Sequence, residues 1–259
     1  MTQSGRIDYL ILELLAENTA YRKIEVPSGE SAKRLLLRSL LNVRPPAPVS
    51  ADFLLVQDAY LKGEAKRRGI VDISNLAPLA DDLYLWVGDI TRLRVDGIVN
   101  AANSKMLGCF VPNHHCIDNA IHTHAGIQLR QHCAELMAEQ GHDEAVGGAK
   151  ITPGFNLPCK YIIHTVGPAI AGRVTDDDIH LLESCYKACL LLGDQYHSDS
   201  IAFCCISTGE YHFPRQAAAE IAMATVSAYK KMTHSNIKVV FNVFTETDAA
   251  IYRKLFSHV

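Results

Sequence analysis

The sequence carries little net charge, since 25 lysines and arginines stand against 28 aspartates and glutamates. It therefore offers nucleic acids and anionic membranes no bulk electrostatic attraction. It contains no low-complexity segment and no internal repeat, and no uninterrupted apolar run approaches the length of a membrane span. The N-terminus also lacks the order of basic, apolar and small residues that marks a secretion signal. These absences predict a cytoplasmic protein with neither nucleic acid nor membrane as a partner.

Cysteine is well represented, with eight residues in a chain of 259. In the cytoplasm these thiols are expected to stay reduced, so they indicate core positions or metal ligands rather than disulfides. Packing accounts for the six that lie in apolar segments, because buried free cysteine behaves as a small hydrophobe. Those six are Cys133, Cys159, Cys185, Cys189, Cys204 and Cys205. The other two lie in a polar loop and need another explanation.

That loop contains a C-x4-H-x-C cluster formed by Cys109, His114 and Cys116. Two thiolates and an imidazole suit zinc better than magnesium or calcium, which prefer oxygen ligands. Three ligands are typical of an open site that takes water or substrate, whereas a structural zinc usually has four. His115 could replace His114 or act as a fourth ligand. The spacing is not that of a standard zinc finger, and simple packing of the two cysteines is the alternative.

Residues 1–80 predict a small helical extension. Apolar residues recur at helical spacing from Ile7 to Leu15, and a second amphipathic run ends at Pro45. A third helix is predicted from Ser50 to the basic residues before Gly69, its cap. No catalytic constellation is present here. The extension is expected either to recognise a substrate protein or to cover one edge of a sheet.

Residues 81–259 predict one α/β domain, because short apolar strands alternate with amphipathic helices. The helix after the cysteine loop is expected to be interrupted near Gly126. Ligands of such a sheet collect at the carboxyl ends of its strands. The predicted strands cover residues 83–87, 97–101, 149–152, 161–166, 201–206 and 238–243, and the predicted helices cover residues 117–140, 176–192, 214–231 and 247–256.

Five loops at or near strand ends carry recognisable motifs in a fixed order: Gly88-Asp89-Ile90-Thr91, residues 98–103 (IVNAAN), Gly147-Gly148-Ala149, residues 164–168 (HTVGP), and Ser207-Thr208-Gly209 followed by Tyr211, Phe213 and Pro214. Together they resemble the macrodomain family, whose α/β fold binds ADP-ribose. The cysteine–histidine loop and the helical extension further resemble a zinc-dependent bacterial subgroup that removes ADP-ribose from modified proteins. Other hydrolytic macrodomains have a glycine-rich catalytic loop at residues 109–116, so their mechanism does not transfer unchanged.

The resemblance implies a three-layer α/β/α fold around a central mixed sheet, preceded by the extension. It implies that Asp89, with the Ile90 backbone beside it, binds adenine, and that Asn103 binds the distal ribose. Asn100 is counted with these ADP-ribose-binding residues, or serves a structural role close by. A glycine-containing loop that enters a helix N-terminus suits a diphosphate. The residues expected around the diphosphate and its ribose are Ser207, Thr208, Gly209, Glu210, Tyr211 and Phe213.

The resemblance also implies one zinc ion per chain, held by Cys109, His114 and Cys116. Asp118 and Asn103 are the catalytic candidates, and Asp118 is expected to orient or deprotonate a water. Two other roles stay open for Asp118: the N-terminal cap of the following helix, or a partner of a zinc-bound histidine. Because two thiolates weaken zinc as a Lewis acid, positioning and polarisation of substrate are favoured over a free zinc hydroxide.

The expected reaction is hydrolysis at C1 of the distal ribose, which removes a single ADP-ribose from a protein, most readily from an aspartate or glutamate ester. The alternatives are a non-catalytic ADP-ribose reader, a deacylase of O-acyl-ADP-ribose, and a structural zinc protein with a fortuitous pocket. The subgroup further suggests a lipoyl-carrier protein as substrate and a sirtuin-type transferase as the writer of the modification.

Overall fold

The computed structural model describes residues 1–21 and 23–257. These residues form eight α-helices, three short 3-10 helices and eight strands. The helices are α1 (Gln3–Ala16), α2 (Glu30–Val43), α3 (Ala51–Arg68), α4 (Ile117–Ala125), α5 (Ile127–Gln140), α6 (Asp176–Gln195), α7 (Arg215–Thr233) and α8 (Glu246–Phe256). The strands are β1 (Val71–Asp72), β2 (Leu83–Val87), β3 (Leu93–Arg94), β4 (Gly97–Ala101), β5 (Ala149–Pro153), β6 (Tyr161–Thr165), β7 (Ser200–Phe203) and β8 (Lys238–Val243).

A six-stranded sheet forms the centre of the molecule, in the order β2-β8-β7-β4-β6-β5. All neighbours are parallel except β5, which runs antiparallel to β6 at the edge. Helices α4 to α8 flank the sheet, and the central strands β4 and β7 are buried along almost their whole length. Continuous apolar strands of this kind are typical of a parallel sheet covered on both faces. The predicted three-layer α/β/α fold with a mixed sheet is therefore confirmed.

The N-terminal extension is a three-helix unit with its own apolar core. Helix α1 packs against α2 and α3, and residues such as Ile7, Leu10 and Phe53 are fully buried between them. Ser50 caps α3 by accepting a hydrogen bond from the Phe53 N–H, and Gly69 ends the helix with a positive φ, as predicted. The extension packs against α4 through α2 and α3. It therefore reaches the helix that follows the cysteine loop.

Three details differ from the sequence prediction or refine it. Gly126, at φ +99°, separates α4 from α5, which confirms the predicted interruption. The strand expected over residues 201–206 ends at Phe203, because the chain turns there into the loop that precedes α7. The parallel pairing of β1 with β3, in which Val71 faces Leu93 and Asp72 faces Arg94, was not predicted. Strands of two residues carry no periodic pattern. No helix among the described residues is long and apolar enough to cross a membrane.

Candidate active site

The motif loops lie at the carboxyl edge of the parallel strands. β2, β4, β7 and β8 run in the same direction, so the loops that follow them emerge together. The end of β8 is joined to the loop after β2 by the Gly88 N–H, which donates to the Val243 carbonyl at 2.9 Å, and by the Asn242 amide, which donates to the Gly88 carbonyl at 2.9 Å. The edge therefore carries one continuous row of candidate site residues.

The structure brings the three side chains of the cysteine–histidine cluster together. The ligand atoms of Cys109, His114 and Cys116 lie within 4.8 Å of one another, with the Cys109 Sγ 3.5 Å from the His114 Nδ1. Zinc bonds of about 2.0 to 2.3 Å place tetrahedral ligand atoms roughly 3.5 Å apart. All three residues are half-buried. The donor set and its spacing therefore fit a zinc ion with one side open, and His115, which is exposed, lies outside the group.

Burial raises the pKa of the Cys116 thiol to about 12, and the neighbouring Cys109 adds to the rise. Cys116 would therefore form a thiolate only with a cation beside it that compensates the negative charge. Cys116 is also the N-cap of α4, where its Sγ accepts a hydrogen bond from the Asn119 N–H at 3.4 Å. The first turn of α4 is thereby fixed to one of the three candidate metal ligands. The interpretation of Asp118 as the cap of this helix is wrong, because Cys116 holds that position.

Asp118 lies in the interior, directly behind Asn103. Its Oδ1 accepts a hydrogen bond from the Asn100 amide at 2.8 Å, and its Oδ2 accepts a longer one from the Asn103 amide at 3.4 Å. The His122 Nε2 is 3.5 Å from the same Oδ1. Burial raises the pKa of Asp118 to about 6. The carboxylate thus contacts Asn100, Asn103 and His122, and its histidine neighbour differs from the histidine of the cysteine cluster.

A buried polar chain continues behind Asp118. The second proton of the Asn100 amide points at the His164 Nδ1, 3.1 Å away, which leaves the His164 Nε2 to donate to the Thr152 hydroxyl at 3.0 Å. Asn100 is fully buried, so it holds Asp118 rather than a ligand. His122, Cys133 and His164 form a second group of close ligand atoms. Both His164 nitrogens already have partners, so His164 belongs to the hydrogen-bonded chain that fixes Asn100.

The loop between β7 and α7 presents free backbone donors. Phe213 N–H donates to the Ser207 carbonyl at 2.9 Å, which closes the loop, and Ser207 has a positive φ of 63°. Among the described residues, the N–H groups of Gly209, Glu210 and Tyr211 form no hydrogen bond with the backbone. Successive unpaired N–H groups before a helix N-terminus form a site for an anion.

Two aromatic residues of this loop, Tyr211 and Phe213, were expected to face the ligand, but they differ in burial. Phe213 is 1% exposed and belongs to the hydrophobic core, so it cannot form a wall of the site. Tyr211 is half-buried and remains available. The loop lies close to the preceding motif, because a Cβ on Gly167 would collide with the Ser207 hydroxyl. A larger residue at position 167 would therefore displace the start of the loop between β7 and α7.

Glu210 connects this loop with the cysteine–histidine cluster. Its Oε1 is 3.6 Å from the His114 Nε2, and its side chain is 68% exposed. The two residues are far apart in the sequence, so spacing gives no sign of this contact. The anion-binding loop and the cluster therefore meet at one point of the edge.

The opposite end of the site is organised around Asp89. Its Oδ1 accepts hydrogen bonds from the Thr91 N–H at 3.0 Å and the Thr91 hydroxyl at 2.6 Å, and its Oδ2 accepts one from Arg68 at 2.9 Å. Burial opposes the charge of Asp89, but the contacts with Thr91 and Arg68 hold its pKa below the ordinary value. The Ile90 side chain is buried, so only its backbone can meet a ligand. Arg68 belongs to α3 of the extension and was not identified from the sequence.

Phe244 is a second residue that the sequence analysis missed. It follows β8 directly, beside the strand end that is hydrogen-bonded to Gly88, and it is 77% exposed. An exposed phenylalanine at a strand end next to a fixed carboxylate is suited to stack on a planar ring. The signal in the sequence was its position, as an aromatic residue directly after the last predicted strand.

Residues 99–222 match the model of the Macro domain family. The chain is 54% identical to a protein-ADP-ribose hydrolase of Treponema medium, with 99% of this chain and 100% of that protein covered, and 49% identical to one of Staphylococcus aureus (strain MSSA476), with 99% and 97% covered.

Among solved structures, a mutant macrodomain of Oceanobacillus iheyensis with ADPR superposes with a TM-score of 0.64 at 36% identity, covering 71% of this chain and 96% of that chain. A Trypanosoma brucei macrodomain in complex with ADP-ribose gives a TM-score of 0.66 at 28% identity, covering 84% and 94%.

Proposed function

The chain belongs to the macrodomain family, and from this premise we propose that it is a protein-ADP-ribose hydrolase that depends on one zinc ion. It is an enzyme, since relatives that match nearly its whole length carry the name protein-ADP-ribose hydrolase. The observation that supports zinc is the close grouping of Cys109, His114 and Cys116 with one side open. A non-catalytic reader would have no use for such a site beside its anion-binding loop.

ADP-ribose is proposed to lie along the carboxyl edge of the sheet. Asp89 accepts a hydrogen bond from the adenine amino group, and the unpaired N–H groups of residues 209–211 bind the diphosphate. Asn103 binds a hydroxyl of the distal ribose through its Oδ1, which can accept a hydrogen bond. Its amide protons are directed at the Gly108 carbonyl, 3.2 Å away, and at the Asp118 Oδ2, which fixes the orientation of the side chain. The net negative charge of the protein does not oppose binding, since oriented backbone dipoles supply the attraction.

Hydrolysis at C1 of the distal ribose breaks the bond to the side-chain oxygen and joins a water oxygen to C1. An aspartate or glutamate ester is the proposed linkage, because a carboxylate is a good leaving group. When bound, zinc would supply a positive charge that positions and polarises the ribose or the leaving group. Asp118 accepts the proton that the attacking water loses, and Asn103 aligns the ribose with it. Asn100 keeps the Asp118 carboxylate fixed.

The modified partner is proposed from the resemblance to the zinc-dependent subgroup. It would be a mono-ADP-ribosylated protein, with a lipoyl-carrier protein as the first candidate and a sirtuin-type transferase as the writer. A cytoplasmic location is proposed with it, since the two thiol ligands must stay reduced. A panel of ADP-ribosylated proteins, each with a defined linkage, tests this choice by comparing kcat/KM.

Removal of the metal is expected to stop release of ADP-ribose. The measurement uses a protein that carries ADP-ribose on aspartate or glutamate, with metal-replete and chelator-stripped enzyme and with zinc quantified in the same samples. We expect the enzyme to lose one zinc per chain and, with it, the release of ADP-ribose. Adding zinc back is expected to restore the release. Tight ADP-ribose binding without release from any linkage would make the protein a reader. A parallel assay with free O-acyl-ADP-ribose distinguishes the deacylase.

Replacing Phe244 with alanine is expected to weaken ADP-ribose binding about tenfold, because loss of base stacking on an aromatic ring typically costs ~1–3 kcal/mol. Calorimetry on the F244A and F244Y variants measures the effect, and F244Y is expected to bind normally because it keeps the ring. M232A is the matched control, since Met232 is equally exposed, at 76%, near the end of α7. Equal affinity of F244A and wild type would show that the ring does not contact the nucleotide.

A further inference from the structure

Arg38, on helix α2 of the extension, donates a hydrogen bond to the backbone of the cysteine–histidine loop. The Arg38 Nη2 lies 2.8 Å from the carbonyl of His114 and 2.8 Å from the Asn119 Oδ1, to which its Nε also donates at 3.2 Å. The Asn119 amide in turn donates to the Val111 carbonyl at 3.0 Å. Arg38 therefore holds the carbonyl of one metal-ligand candidate and, through Asn119, the start of the same loop.

A second residue of α2 fixes the loop one position before His114. The Asn42 Oδ1 accepts the Asn113 N–H at 3.0 Å, and its amide donates to the Thr123 hydroxyl at 3.0 Å. The Asn113 side chain donates to the Ser39 hydroxyl at 2.7 Å. Asn113 has a φ of +55°, in the left-handed region, which asparagine adopts more readily than most residues. Since Asn42 is only 1% exposed, these hydrogen bonds have little competition from water.

The two contacts determine where the ligand atoms lie. Residues 113–119 contain two of the three ligands, and their backbone is held at Asn113 and His114 from α2. Asn119, which Arg38 holds, also donates its N–H to the Cys116 Sγ. The ligand atoms already lie close together, so these contacts favour a preorganised site. A loop without them would have to become ordered when the metal binds.

We propose that Arg38 and Asn42 of the N-terminal extension are positioning residues of the metal site, which set its zinc affinity by holding residues 113–119 in place. This inference rests on the proposed zinc binding. It gives the extension a role different from the two expected from the sequence, because its polar contacts reach the catalytic loop. It also explains why a helix outside the sheet domain carries a buried asparagine and a half-buried arginine.

The test measures zinc affinity at equilibrium, by competition of the purified full-length protein with a chromophoric chelator, and needs no enzymatic assay. Residues that orient metal ligands typically contribute about 10- to 100-fold in affinity. R38A and N42A are each expected to weaken zinc binding by about that factor. R38K keeps the charge but not the planar fork that reaches two acceptors, so it is expected to recover only part of the loss.

The matched control is R44A, at the end of the same helix. Arg44 is buried and binds Glu17 and the carbonyls of Ala47 and Pro48, so its loss destabilises the extension without touching residues 113–119. The melting temperature is recorded for every variant. R44A is expected to melt at a lower temperature and to bind zinc like wild type. If R38A does not fold, R38K and N42A carry the comparison.

The outcomes separate this inference from the proposed function. Wild-type protein that binds no zinc would overturn both. Wild-type protein that binds zinc, together with R38A, R38K and N42A variants of unchanged affinity, would overturn only the positioning role. A loss of affinity in R44A as large as that in R38A would also overturn it, because the effect would then come from general loosening of the extension. A loss of zinc affinity in the Arg38 and Asn42 variants but not in R44A supports the positioning role.

Discussion

The variants C109A, H114A and C116A are each expected to lose ADP-ribose release by about 100-fold or more, while still binding ADP-ribose with nearly normal affinity. Each change removes one of three ligand atoms that lie within 4.8 Å of one another, and two protein ligands rarely hold zinc. Binding should survive because Asp89 and the free N–H groups of residues 209–211 lie outside the cluster. Timed release assays, zinc analysis and calorimetry on the same preparations measure the three quantities.

Two controls separate loss of metal from loss of fold. H115A removes the adjacent exposed histidine, which lies outside the ligand group, and is expected to remain active. C116S addresses the second role of Cys116, because serine is a strong N-cap and should preserve the start of α4, whereas it is a poor zinc ligand. C116S is therefore expected to fold normally and to be inactive. Near-normal turnover by a folded variant without zinc would contradict the zinc mechanism.

The sheet and the position of the site follow from the sequence for a physical reason. Apolar strands that alternate with amphipathic helices predict a parallel sheet, and parallel strands bring their carboxyl ends to one edge. Residues 88–91, 100–103 and 207–213 therefore had to meet, although they lie far apart in the chain. The grouping of Cys109, His114 and Cys116 could also be predicted from the sequence. These residues lie within eight consecutive positions, and a short loop keeps its side chains close to one another.

Contacts between side chains that are far apart in the sequence could not be predicted from the order of strands and helices. The ion pair of Arg68 with Asp89 depends on how α3 docks, and the approach of Glu210 to His114 depends on the path of a loop that contains left-handed residues. The same loop decides that Phe213 turns into the core. Neither periodicity nor motif spacing encodes these orientations, because each one is set by packing between separate elements.

Of the three interpretations of Asp118 from the sequence, the base for water remains, because Cys116 caps α4 and the histidine beside Asp118 is His122 rather than His114. The contact with Asn103 adds a second role to compare with it. The carboxylate could act as the base for water, or it could serve only to hold Asn103, which donates to its Oδ2 at 3.4 Å. The side chain is only 7% exposed, and the Asn100 hydrogen bond fixes its orientation. Such fixation favours catalysis, because a base must be held at the attacking water when the reaction occurs.

Replacing Asp118 with asparagine is expected to lower kcat by about 100-fold or more, the contribution typical of general acid–base catalysis, and to leave zinc content and the Kd for ADP-ribose within about threefold of wild type. The D143N variant is the matched control, since Asp143 is an exposed carboxylate that accepts a hydrogen bond from Ser104, the residue after Asn103. It is expected to retain activity.

The distribution of the loss between kcat and affinity identifies the role of Asp118. A base contributes only when C1 reacts, so its loss lowers kcat without weakening the nucleotide complex. A residue that merely holds Asn103 would instead lose affinity together with turnover, because the ribose contact would loosen. If D118N remains active and E210Q is inactive, the proton goes to Glu210, the carboxylate 3.6 Å from His114. The buried Asp118 would then serve only to support the ribose-binding amide.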